Sequence, residues 1–289
     1  MHTLSIKPAK KLPCRLPNQA TRIKIRQLTY RQNKPAAHQP VRIQKILSAS
    51  GLGSRRHIEA AIFNKAITVN GQIAQLGQCI TPSDHIMMDN KPVRLIWSDT
   101  LPRIILYNKP EGEIVTRKDP SGRVSVFDRL PQTKSSRWIS IGRLDLNSCG
   151  LLILTTHGGL AHHFMHPRFE IDRKYAVRVL GILTDAQKKQ LYQGIMLPTG
   201  LARVVAIQEV AHHKLGSANK WYHVTLKEGK NREVRALFAA IGLTVSRLIR
   251  IQFGPVVLPT RLKCGQYQEL NAVEVANILK WAKFPIHRG

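Results

Sequence analysis

Acidic residues are scarce in this chain: 17 Asp and Glu stand against 45 Lys and Arg over 289 residues, a formal charge of +28 and a pI near 10.7. An imbalance of this size says nothing about fold, but it names a class of partner, a polyanion such as nucleic acid. Acidic lipid would also attract such a chain. Yet no apolar run reaches the roughly 18 residues needed to span a bilayer, and neither end carries a basic amphipathic anchor, so no membrane partner is expected. Cysteines are few as well. Cys14, Cys79, Cys149 and Cys264 show no C-x-x-C spacing, which argues against a zinc site or a disulfide framework and fits a reducing compartment. There is no Gly-rich dinucleotide loop and no P-loop sequence, so neither ATP nor a nicotinamide cofactor is supported. His157, His162, His163 and His166 lie close together but without Cys or paired acids at ligand spacing. His57-Ile58-Glu59 starts like a zinc deaminase signature whose P-C-x-x-C partner is missing downstream. No metal and no cofactor are expected.

Four regions differ in character. Residues 1–40 hold nine Lys or Arg and no acid, with prolines at 8, 13, 17, 35 and 40, and read as a basic disordered arm that adds affinity for phosphate. An organelle transit peptide is the alternative for this arm, opposed by its low serine content and the lack of a long amphipathic pattern. Residues 41–95 read as a small α/β module. Ile43, Ile46 and Leu47 recur at helical spacing, Ser54 caps a second apolar series of Ile58, Ala61 and Ile62, and Asn70-Gly71 marks a hairpin. Residues 103–270 alternate strand and helix signals without regular βαβ repeats. They predict an α+β domain with a mixed, largely antiparallel sheet and flanking helices. Strands are expected at Leu101–Tyr107, Arg137–Ile141, Leu151–Thr155, Lys174–Leu180 and Trp221–Leu226. A capping box at Thr184 and Gln187 opens a helix ending near Gly194, and Val234, Leu237, Phe238 and Ile241 mark another helix. Residues 271–289 are expected to be a C-terminal helix and tail.

The segment Gly142-Arg143-Leu144-Asp145-Leu146-Asn147-Ser148-Cys149-Gly150 sets one carboxylate in a polar turn just before the apolar run Leu151–Leu154. A carboxylate held ionised in such a place can act as a nucleophile or base. Its wording resembles the signature of the RNA pseudouridine synthases that modify small-subunit and large-subunit rRNA. Lys109-Pro110-Glu111-Gly112, Arg173-Lys174-Tyr175-Ala176-Val177 and Glu228-Gly229-Lys230-Asn231-Arg232-Glu233-Val234-Arg235 resemble other motifs of that family, in the same order. Ser246-Arg247-Leu248-Ile249-Arg250-Ile251 follows them, as in the family. The module at 41–95 resembles the RNA-binding domain named after ribosomal protein S-four.

The resemblance implies isomerisation of uridine to pseudouridine in rRNA, large-subunit rRNA being favoured, on a base flipped out of its stack. It implies Asp145 as nucleophile, Tyr175 against the base, and Arg235 ion-paired with Asp145. Arg232 and Arg235, three apart at a helix start, are expected to share one face. Arg42, Lys45, Arg55, Arg56, Arg143, Lys174 and Arg232 are the candidate RNA contacts. The partner is then rRNA or a ribosomal subunit precursor, the enzyme a cytoplasmic, bacterial-type protein, and the absence of a long apolar heptad pattern suggests a monomer. Two departures concern the cleft: Ser148-Cys149 replaces an expected Thr-Ser, and Thr155-Thr156-His157-Gly158 replaces something like Thr-Asn-Asp-Gly. A non-catalytic ribosome-assembly factor with this fold and a methyltransferase bearing the same module are the competing readings. The second would need the Gly-rich cofactor loop that is missing.

Overall fold

The computed structural model describes residues 40–97, 101–133, 136–210 and 219–284. Of the expected N-terminal arm only Pro40 falls within them, and residues 285–289 of the expected C-terminal tail lie outside them.

The first module opens with β1 (Val41–Arg42) and two short helices, α1 (Ile43–Ala49) and α2 (Arg55–Phe63). Ser54 starts α2 as the spacing predicts, its hydroxyl oxygen accepting the His57 N–H at 3.1 Å. The hairpin of β2 (Ile67–Val69) and β3 (Gln72–Ile73) turns at Asn70 (φ 53°) and Gly71 (φ 84°). Both residues are left-handed, as a two-residue turn matching the strand twist requires. Then β4 (Cys79–Ile80) pairs with β1, while β5 (Ile86–Met88) and β6 (Lys91–Pro92) complete a sheet ordered β3-β2-β5-β6. Ile43, Leu47, Ile58, Ile67 and Ile80 fill a core private to this module.

The larger domain runs β7 (Ile104–Lys109), β8 (Ile139–Ile141), β9 (Cys149–Thr155), α3 (Gly158–Met165), β10 (Arg173–Leu180) and α4 (Asp185–Gln193). It continues with β11 (Ile195–Leu197), β12 (Gly200–Ala202), β13 (Ala206–Glu209), β14 (Asn219–Leu226) and α5 (Glu233–Ala240). Last come β15 (Thr244–Phe253), β16 (Val256–Val257), β17 (Tyr267–Glu269) and α6 (Ala272–Trp281). Among the described residues nine strands form one sheet ordered β13-β14-β10-β15-β9-β7-β17, with β16 beside β15 and β8 beside β9. All its neighbours are antiparallel except β15 and β9. This is the α+β, largely antiparallel architecture the pattern predicts.

Sequence pattern tracks depth in the sheet. The central strands β7 and β9 send alternate residues into two cores: Ile105, Tyr107, Leu152 and Leu154 into one, Ile104, Leu106, Leu151 and Ile153 into the other. A strand covered on both faces has no polar side to show, hence the unbroken apolar runs. Helices α4 and α5 cover the first face through Leu191, Val234, Leu237 and Phe238; α3 and α6 cover the second through Leu160, Phe164, Val275 and Leu279. By contrast β10 alternates, burying Arg173, Tyr175, Val177 and Val179 on one face only. The strand expected at Leu101–Tyr107 sits later, at Ile104–Lys109. Its ladder with β9 begins at the Ile104–Thr155 pair and ends at Lys109–Gly150, while Pro102 has no N–H to donate.

The described residues form one compact unit. Within it the core of the first module stays separate from the two cores of the larger domain, and Arg137 ties the larger domain to α1 by donating from Nη2 to Ser48 Oγ at 3.0 Å.

Candidate active site

Asp145 lies in the turn joining β8 to β9, and the backbone of that turn is held from several elements at once. Ser148 N–H donates to the Asp145 carbonyl at 3.0 Å, and Gly112 N–H to the Leu146 carbonyl at 2.9 Å. Arg235 Nη2, from the first turn of α5, donates to the Asn147 carbonyl at 2.7 Å. Lys109 Nζ donates to the carbonyls of Pro110 (2.8 Å), Asp145 (3.2 Å) and Ser148 (2.9 Å). Every carbonyl from Asp145 to Ser148 therefore has a donor, and the loop is fixed without using the aspartate side chain. Among the described residues the Asp145 carboxylate makes no hydrogen bond or ion pair.

Lys109 is fully buried. Burial pushes its pKa down, opposed by the negative charges of the Glu113, Asp145 and Glu111 carboxylates. Glu113 in turn accepts the Tyr107 hydroxyl at 2.7 Å; burial first, and that bond second, raise the Tyr107 pKa well above its ordinary value.

The carboxylate borders a cleft of about 520 Å³, a size suited to a small ligand or a single extruded base. Tyr175 forms part of its wall from β10. It stands opposite Arg250 of β15, and the β10–β15 register shifts between Lys174 and Tyr175. Such a bulge re-aims a side chain beside a functional site. Arg250 is almost wholly buried, its Nε donating to the Leu151 carbonyl at 2.7 Å and its Nη2 without a hydrogen-bond partner among the described residues. Burial lowers its pKa, and the neighbouring Tyr175 opposes that shift. Arg173 also lines the cleft, with Nη1 donating to the carbonyls of Ile171 (2.8 Å) and Lys227 (2.7 Å). Glu233 also lines the cleft, is buried and accepts the Lys230 N–H at 3.0 Å. Burial raises the Glu233 carboxyl above its ordinary range, against the lowering effects of the Lys230 bond and charge.

The structure brings Asp145, Tyr175, Arg143 and Arg232 to one cleft. Arg235 approaches differently from the expectation: among the described residues it makes no ion pair with Asp145, and its guanidinium is committed to the carbonyls of Val245 and Asn147, both at 2.7 Å. Its charge still acts on Asp145 through space. Arg232 and Arg235 do not share a helix face, because Arg232 sits outside α5 as its N-cap in left-handed conformation (φ 51°). Lys174 is on the opposite side of β10 from Tyr175 and does not line the cleft; Arg173 does. Lys45, Arg55 and Arg56 are exposed and line a second cavity, whereas Arg42 is exposed and lines neither. Lys109, Arg173, Arg250 and the buried carboxyls of Glu113 and Glu233 were missed as site residues. Strand phase could have found two of them, since Arg173 lies two residues before Tyr175 and Arg250 two after the buried Leu248.

The RNA pseudouridylate synthase pattern matches residues 103–240, and the S4 domain pattern matches residues 41–86. A protein of Pseudomonas aeruginosa named ribosomal large subunit pseudouridine synthase B is 45% identical over 241 residues, 82% of this chain and 62% of that protein. Its namesake in Escherichia coli is 44% identical over 247 residues, 84% of each chain. A solved pseudouridylate synthase structure superposes with a TM-score of 0.55 at 24% identity, covering 82% of this chain and 98% of that one, a likeness of fold.

Proposed function

The chain belongs to the RNA pseudouridylate synthase family, and on that footing we propose that it isomerises a uridine of ribosomal RNA to pseudouridine, with large-subunit rRNA as substrate. The observation that carries this reading is the Asp145 turn: a carboxylate with no partner among the described residues, on a loop whose every carbonyl is tied down, at the wall of a base-sized cleft. The choice of large-subunit rRNA is supported by the names of the two relatives.

The reaction breaks the bond from ribose C1′ to N1 of the base and forms one from C1′ to C5. The C5 proton leaves and N1 ends protonated, so atoms balance with no oxidant or second substrate. A base inside a stack cannot turn, so the uridine is extruded at roughly a few kcal/mol. Arg143 and Arg232, exposed at the cleft, offset that by holding the flanking phosphates. Asp145 meets the extruded nucleotide. Attack on C1′, addition to C6 of the base and proton removal toward a glycal all begin from its ionised form. Tyr175 lies against the base and receives the C5 proton. Arg235 is a positioning residue: it fixes the Asn147 carbonyl and lends positive charge to a site where a carboxylate must stay ionised.

The enzyme works as a cytoplasmic monomer during ribosome biogenesis, without metal or cofactor. Tritium released from C5-labelled uridine tests the assignment, with large-subunit rRNA, small-subunit rRNA and tRNA transcripts offered separately. Release from large-subunit rRNA alone is expected. Release from another RNA would replace the substrate, and binding without release from any would favour the assembly-factor reading.

A further inference from the structure

Two buried arginines accompany Tyr175 in the cleft wall. Arg250 faces it across the β10–β15 ladder at the bulge, and Arg173 lies two residues earlier on the same face of β10. Both guanidiniums lie against the ring of Phe253, with the Cζ of Arg173 at 4.8 Å and that of Arg250 at 5.2 Å from its centroid. Among the described residues neither forms an ion pair. Their hydrogen bonds go to the carbonyls of Ile171, Lys227 and Leu151.

Two like charges withdrawn from water without a counter-ion are costly to the fold. In an enzyme such charges are matched by negative charge that develops during the reaction. The group placed to carry it is Tyr175. Burial lowers the pKa of both arginines, and in both the Tyr175 oxygen is the largest influence opposing that fall. Arg250 is also fixed in place. Its Nε donates to the Leu151 carbonyl at 2.7 Å, and a Cβ added at Gly142, three residues before Asp145, would lie 3.9 Å from its Nη1. Its Nη2 has no hydrogen-bond partner among the described residues, which leaves one donor spare.

On the isomerase reading above, we propose that Arg250 is a positioning residue for the proton transfer from C5: its spare donor and its charge hold the Tyr175 oxygen toward the base and stabilise the negative charge that this oxygen takes up. In the step concerned, C1′ is already joined to C5. Tyr175 passes its hydroxyl proton to water, and its oxygen, negative beside the guanidinium, takes the proton from C5. The electron pair of the C5–H bond closes the C5–C6 double bond, the N1–C6 double bond opens, and N1 takes a proton from water. Arg250 acts through Tyr175 and touches no reacting atom.

The test compares the full chain with Arg250→Met, Arg250→Lys and Arg178→Met. Arg178 belongs to the same ladder but to the other face of β10, outside the cleft. The substrate is a large-subunit rRNA transcript whose uridines carry either protium or deuterium at C5. Pseudouridine formation gives kcat and KM, and thermal unfolding checks the fold of each variant.

Losing a hydrogen bond to a charged group is expected to lower the kcat of Arg250→Met some 10- to 100-fold, at the wild-type KM. Its deuterium isotope effect on kcat rises above the wild-type value, because breaking the C5–H bond becomes the slower step. Arg250→Lys keeps a cation and regains part of the rate, and Arg178→Met keeps both wild-type values. An arginine that only supported the fold would slow the reaction with the isotope effect unchanged. That result, or an undiminished kcat in Arg250→Met, would overturn the proposal. If Arg250→Met does not fold, Arg250→Lys decides. Its single ammonium cannot serve both Leu151 and Tyr175, so an isotope effect equal to that of the wild type would overturn the proposal as well. No pseudouridine from the wild type on any rRNA would instead overturn the isomerase reading, and this role of Arg250 with it.

Discussion

Replacing Lys109 by methionine removes an ammonium and keeps nearly the same apolar stem. In the native structure the three donors of this fully buried group reach three carbonyls at 2.8, 3.2 and 2.9 Å. Charge-assisted bonds of this kind contribute about 1.5–3 kcal/mol each, but taking an ammonium out of water costs several kcal/mol, so most of the gross gain is cancelled. The variant is decided by what it strands. The Asp145 carbonyl keeps the Ser148 N–H, while those of Pro110 and Ser148 lose their only donors among the described residues. The buried Ser148 carbonyl left without a partner costs about 1–3 kcal/mol and the part-buried Pro110 carbonyl less, which predicts a loss of about 2–3 kcal/mol. Urea unfolding reads this as a lower midpoint at unchanged slope. The same bonds position the Asp145 turn, and a displacement of about 1 Å there lowers kcat by roughly 100-fold. Tritium release well below the melting point isolates that effect. A variant within about 0.5 kcal/mol of wild type, with undiminished kcat, would refute the reasoning, because the turn would then be held without the lysine.

Glu233→Gln keeps an oxygen to accept the Lys230 N–H but cannot ionise. Because burial raises the Glu233 pKa in the fold, the folded state binds its proton more tightly than the unfolded chain, and that stabilisation is lost as pH rises through the folded pKa. The variant's melting temperature should therefore gain on wild type as pH rises above the ordinary carboxylate range of about 4; a gain that shrinks with pH contradicts this account. Gly150→Ala should destabilise by about 3 kcal/mol or more. Gly150 has φ 99°, and an added Cβ would lie 2.8 Å from the Arg250 amide nitrogen and closer still to its carbonyl oxygen, at the parallel β9–β15 pairing. Thermal unfolding of that variant at the wild-type temperature would mean the two strands can part there freely.

The elements legible in the sequence were those with local causes. The Ser54 cap, the Asn70-Gly71 turn, the capping box at Thr184 and the alternation of β10 each follow from a few adjacent residues. Asp145 and Tyr175 were legible through motif resemblance, and the structure sets both at one cleft. The partner of Arg235 was not legible. A side chain of its length reaches either a carboxylate or the carbonyls next to it, and the choice depends on how α5 meets the turn, 88 residues away along the chain from Asn147. Lys109 was hidden for a similar reason. A lysine ending a strand normally reaches solvent, and only the packing of the Asp145 turn over β7 closes it in. The second cavity depends on distant segments meeting, and no local pattern announces it.

The central claim is that the carboxylate of Asp145 performs the isomerisation. It is tested most directly by Asp145→Asn, measured for tritium release from C5-labelled large-subunit rRNA and for RNA affinity in the same buffer. The side chain makes no hydrogen bond or ion pair in the described structure, so the substitution leaves the fold and the Kd within a few-fold of wild type. The account predicts no detectable release from that intact complex. Release at the wild-type rate would contradict it and move the chemistry to another residue of the cleft.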